Sequence, residues 1–236
     1  MSRGYVKFTA EKLDKREKRI KLVSKLLIIL ILFILFLFAI LSLVYQGGDF
    51  TITLDPQFSL KSGLKMYDNA ELKDDKIKLY ANEIDFMDNI SIDWLPNNLH
   101  EHSGGTNNGE NYISYTFFIE NNGLQAVNYW YEVEIVDVIR NVDEAVRFMI
   151  YQNETKTVYA KMNALTNREE EGTKAFYNEK KAVLEQRKAI MPNEIDKYTI
   201  VMWIEGDDPD CLDNLIGGEL KVKVRIIESY FEENKS

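Results

Sequence analysis

The hydrophobic pattern divides the chain sharply near residue 46. From Leu26 to Tyr45 it reads LLIILILFILFLFAILSLVY, twenty residues without a charge, proline or glycine. At about 1.5 Å per residue such a helix is roughly 30 Å long, the thickness of a bilayer core. Seventeen of the twenty are Leu, Ile, Phe or Val. Each favours insertion by roughly 0.3–0.6 kcal/mol, so the segment gains on the order of 5–10 kcal/mol in lipid. A transmembrane helix is predicted over 26–45.

Beyond a break at Gly47-Gly48, apolar residues recur mainly with the two-residue period of strands. Phe50–Leu54 reads as a strand ended by Asp55-Pro56, and Lys61–Asp75 as polar loop. In Lys76–Met87 the apolar phase changes between Ala81 and Ile84, which predicts a bulge or two short strands. Ile90, Ile92 and Trp94 share a face and predict another short strand, stopped by Pro96. Asn97–Asn111 is a Gly- and Asn-rich loop. Tyr112–Glu120 and Ala126–Ile139 alternate strongly, and the intervening Asn122-Gly123 predicts a hairpin. Ala145–Tyr151 and Lys156–Lys161 predict a second hairpin, turning at Gln152–Thr155. Ala164–Ile190 is highly charged and fits either a short helix or a solvated excursion. Lys197–Glu205 reads as a buried strand containing Trp203. Gly217-Gly218 turns the chain into Glu219–Ile227, where Leu220, Val222, Val224 and Ile226 alternate with Lys221, Lys223 and Arg225. Many short strands with one excursion predict an all-β fold, an antiparallel β-sandwich of jelly-roll-like type occupying 46–236.

Charge sets the expected orientation. Residues 1–25 hold nine basic and three acidic side chains, a +6 segment that leaves −15 on the rest of a chain of net charge −9. Basic residues crowd one flank of the apolar run, while the other reads Gln46-Gly47-Gly48-Asp49. The positive-inside rule then places 1–25 in the cytosol and the sandwich outside the cell membrane. The apolar run exceeds an ordinary signal-peptide core, and no small-x-small cleavage site follows Leu41–Tyr45, so an uncleaved signal anchor is expected. The acidic outer part argues against nucleic acid as a partner, because phosphate binding needs clustered Lys and Arg. The lipid bilayer and other surface or matrix proteins are the expected partners. A single cysteine, Cys211, cannot form an intrachain disulfide, so the domain must be held by its core.

The stretches Tyr115–Gly123, Asn128–Ile135, Asn141–Tyr151 and Lys197–Lys221 resemble a group of Gram-positive single-pass surface proteins. The last carries W-x-E-G-x-D-P-x-C from Trp203 to Cys211, followed by Gly217-Gly218. The strand–loop–strand arrangement is also distantly similar to camelysin and to TasA-type matrix proteins. This resemblance implies a jelly-roll-like sandwich at the cell surface and no assigned chemistry. It differs in one respect: those matrix proteins carry cleavable signals, and a retained anchor is expected here.

Candidate chemistry is sparse. Glu205–Asp213 is the densest acidic stretch, and Asp207, Asp208, Asp210 and Asp213 could supply oxygens to Ca2+. Equally, Asp side chains cap turns, and Pro209 stiffens the bend. The spacing is not that of an EF-hand. No other cofactor is expected. His100-Glu101-His102 invites a zinc reading through camelysin, described as a metalloprotease, but the histidines stand two apart rather than four. Cys211 has no histidine near it in sequence and reads as a structural thiol. The expected function is a non-enzymatic, membrane-anchored surface protein of envelope, matrix or adhesion type. A metal-dependent hydrolase and a sensory or assembly subunit acting through its helix are the alternatives.

Overall fold

The computed structural model describes residues 3–45, 50–82, 84 and 86–228. The chain divides into two units, Met1–Gly47 and Gly48–Ser236. The first is a helix, α1 (Arg3–Tyr45), and its side chains from Lys15 to Ala39 are all exposed. Among the described residues it is the one helix long and apolar enough to cross a membrane. The predicted break at Gly47-Gly48 lies outside the described residues.

The second unit is a β-sandwich. It begins with β1 (Phe50–Leu54), a short helix α2 (Pro56–Ser62), β2 (Leu64–Tyr67), β3 (Lys78–Tyr80) and β4 (Gly105–Thr106). Next come β5 (Ile113–Asn121), β6 (Val127–Ile139), β7 (Val146–Gln152) and β8 (Thr155–Ala160). The last are β9 (Lys174–Ala175), β10 (Lys181–Ile190), β11 (Ile195–Ile204) and β12 (Glu219–Ile227). One sheet runs β10-β6-β12-β1-β3; the other runs β2-β5-β11-β7-β8-β9, with β4 also on β5. The principal strands follow jelly-roll order, β10-β6-β12-β1 in one sheet and β5-β11-β7-β8 in the other. Most pairs are antiparallel, but β1 runs parallel to β12 and β9 parallel to β8.

Alternation explains the core. Tyr129, Tyr131, Val133 and Ile135 of β6, Tyr115, Phe117 and Ile119 of β5, and Val222, Val224 and Ile226 of β12 are buried between the sheets. The long β5–β11–β7 sheet is buried on its outer face too. There Met149, Tyr151, Val201 and Trp203 form a second cluster with Ile90, Leu95 and Leu99 from the excursion before β4. Burial on both faces is why β7 and β11 are nearly continuous apolar runs.

Several expectations are corrected. Asn122-Gly123 is not a hairpin turn, because β5 and β6 lie in different sheets. It is the corner where the chain changes sheet. Asn121 is wholly buried there and donates from Nδ2 to the Gln125 and Ile190 carbonyls at 2.8 and 2.9 Å, while its Oδ1 accepts from Gly123 N at 2.9 Å. Glycine is needed for space: a Cβ on Gly123 would stand 2.3 Å from the Ser62 carbonyl oxygen. Gly123→Ala is expected to cost about 1–3 kcal/mol, as overpacked sites do, measured as a lowered midpoint of thermal unfolding.

Asp55-Pro56 does not merely end β1. Asp55 caps α2, with Oδ1 accepting from Phe58 N at 2.8 Å, and Pro56 opens the helix, so the 61–75 loop gives way to α2 and β2. Lys76–Met87 holds one strand, β3; Glu83 and Asp85 lie outside the described residues. Ile90 makes only an isolated bridge to Glu205, and Ile92–Trp94 is a 3-10 turn instead of a strand. The charged stretch 164–190 is neither helix nor wholly solvated: Lys181–Ile190 is an edge strand with two register shifts, and edge strands carry charge and bulges to block further pairing. The β7–β8 hairpin forms as predicted, with Gln152 opposite Thr155.

Candidate functional site

The acidic stretch 205–213 leaves the end of β11, and Glu205 and Asp208 fasten its first part to the outer face of that sheet. Glu205 is buried and organises the first half. Its Oε2 accepts from Trp203 Nε1 at 3.0 Å and from Ile92 N at 3.2 Å, and its Oε1 accepts from Asp207 N at 3.2 Å. Backbone bonds finish the attachment: Glu205 N to the Ala145 carbonyl at 2.9 Å and Gly206 N to the Ile90 carbonyl at 3.0 Å.

Asp208 organises the second half. Its side chain is 1% exposed and is ion-paired through Oδ2 with Nη2 of Arg147, itself 4% exposed on β7. Asp208 Oδ1 accepts from Asp210 N at 2.8 Å, and its carbonyl accepts from Cys211 N at 2.9 Å. Asp210 Oδ2 accepts from Ala164 N at 2.8 Å, which fastens the loop to the segment after β8. Burial, reinforced by the negative charge of Glu170, raises the Asp208 carboxyl above the usual range; the Asp210 amide and Arg147 oppose that rise.

Of the four aspartates predicted to share Ca2+, the structure brings together Asp208 and Asp210. With Glu170 they place one oxygen each within 4.8 Å of one another, the group of converging ligand-type side chains found among the described residues. Asp207 and Asp213 are exposed and outside that group. A cation already sits against Asp208, namely the Arg147 guanidinium. The arrangement is therefore a latch: it neutralises one buried carboxylate and ties β7, β11 and two loops together. Glu170 escaped the sequence reading because it lies 38 residues before Asp208 in a stretch without regular pattern. Arg147 had a signal: a single charge inside the apolar run Ala145–Tyr151, buried on both faces, demands a carboxylate partner.

The His100-Glu101-His102 segment forms a 3-10 turn ending at Glu101, and the His100 ring stacks on Tyr151 with centroids 5.0 Å apart. The two histidines are not in the converging group. Cys211 is half-buried, and its Sγ accepts from Asn89 Nδ2 at 3.2 Å. The chain matches no protein-family model and none of the curated proteins.

Proposed function

We propose that this chain is a single-pass, membrane-anchored surface protein whose β-sandwich stands outside the cell and makes non-enzymatic envelope or matrix contacts. One observation carries the reading: an uncharged apolar span with nine basic residues crowded before it and an acidic β unit after it. That asymmetry favours a cytosolic N-terminus. The resemblance to Gram-positive surface proteins supports the same placement. The quoted W-x-E-G-x-D-P-x-C residues support fold rather than chemistry, because Trp203, Glu205 and Asp208 are spent on the latch. The hydrolase alternative has less in its favour, since His100 is taken up in a ring stack and the carboxylate group is shared with an arginine.

Protease shaving of intact cells tests the placement. The sandwich should be digested from outside while the N-terminal segment survives, and the full chain should resist alkaline carbonate extraction. A sandwich protected in intact cells, or a chain released by carbonate, overturns the reading.

A further inference from the structure

At one end of the sandwich a cleft of about 740 Å3, with an apolar floor and a polar rim, opens between the sheets, within the size range of small-molecule sites. Its floor is built from Phe50, Ile113, Val146, Met202 and Leu215, all buried and all from different elements. At its mouth Phe86, Leu212 and Ile216 remain 67%, 60% and 65% exposed. Large apolar side chains held in water around a concave apolar floor are what a ligand would cover.

The charge around the cleft is predominantly negative. Asp88, Asp213 and Glu219 line it, all exposed, and among the described residues lining it there is no Lys, Arg or His. The Arg140 guanidinium, outside this lining, donates to the Ile216 carbonyl and keeps its positive charge there, so three carboxylates stand against one cation. An anionic head placed at this mouth would meet three carboxylates; a cationic head would be attracted to all three. We propose that the cleft binds a small cationic amphiphile, its alkyl body on the apolar floor and its ammonium head drawn to the mouth by the excess negative charge that Asp88, Asp213 and Glu219 place there. This binding uses other side chains of the loop that carries the latch and does not depend on which side of the membrane the sandwich occupies.

Cys211, the chain's single cysteine, lines the same cleft and reports on its occupancy. The full chain in nanodiscs is treated with a maleimide, and the rate of Cys211 modification is followed with octylammonium, octanoate or octyl glucoside present. Octylammonium should slow the reaction at least fivefold where octanoate does not. Hexyl-, octyl- and decylammonium should tighten by about fourfold per added methylene. The double variant D213N/E219Q, altered only at exposed positions, should lose most of the preference for ammonium over glucoside. The proposal is overturned by protection that ignores head charge, by no protection, or by a preference that survives in the double variant. A basic apolar peptide that protects where octylammonium fails would also overturn it, by making the cleft a protein-docking site.

Discussion

Replacing Arg147 with methionine is expected to destabilise the sandwich by about 3–5 kcal/mol, the cost of leaving a buried charge without its partner. For a domain of this size that lowers the unfolding midpoint by roughly 6–20 °C. The size follows from burial. Asp208 is 1% exposed at its side chain, and Arg147 supplies the cation facing its Oδ2. Glu170 lies on the same side with a second negative charge. Without the guanidinium, Asp208 must fold as the neutral acid. Its folded pKa is then raised further above the unfolded value. The variant should be most stable at acid pH and lose stability as pH rises through that folded value. Urea unfolding followed by tryptophan fluorescence is a suitable measure, because Trp203 is wholly buried and bonded to Glu205 beside the latch. The double variant R147M/D208L removes both charges and should recover most of the loss, since apolar replacement of a buried pair is often neutral. A single variant that costs under about 1 kcal/mol would mean that the pair is solvated like a surface bridge.

The apolar helix and the central strands were legible because each follows a simple local pattern. Leu26–Tyr45 is uniformly apolar, and β6 and β12 alternate because each has one face in the core. What was not legible depended on distant partners. Asn122-Gly123 has the local chemistry of a hairpin, yet Ser62 and Gly63 pack against it and the chain crosses to the other sheet. Lys181–Ile190 looks soluble because its outward positions are charged, while Ala182, Val183 and Ile190 alone are buried. Ile90, Ile92 and Trp94 mimic a strand, but the segment is a cap over the second cluster, and caps obey no period. The acidic loop was legible as a cluster and not as a latch, because neither Arg147 nor Glu170 is near it in sequence.

Asp196→Ala should match or exceed the Arg147 variant, at about 3–5 kcal/mol, because Asp196 holds the two sheets together from inside. It is wholly buried on β11 and accepts three hydrogen bonds: from Tyr129 Oη at 2.7 Å, Arg187 Nε at 2.9 Å and Asn153 Nδ2 at 3.0 Å. Tyr129 and Arg187 belong to β6 and β10, in the opposite sheet. Tyr129 and Tyr198 further share a hydrogen bond at 2.8 Å. Truncation would remove three hydrogen bonds and the carboxylate facing Arg187 in one step, leaving Tyr129 with Tyr198 as its partner inside the core and Arg187 with Glu194 at the edge. Asp196→Asn keeps the shape but loses the charge facing Arg187, so its cost should fall between alanine and wild type. The same network fixes the alkaline behaviour. Burial, with the negative charge of Asp196 and the neighbouring phenols, raises Tyr129 and Tyr198 well above the ordinary tyrosine value of 10.0. The unfolded chain ionises these phenols first. Their contribution is therefore complete below about pH 10 and is lost as pH climbs beyond it. An ultraviolet titration should show both tyrosines ionising only as the sandwich unfolds, and a gradual ionisation in the still-folded protein would show that the network is open to water.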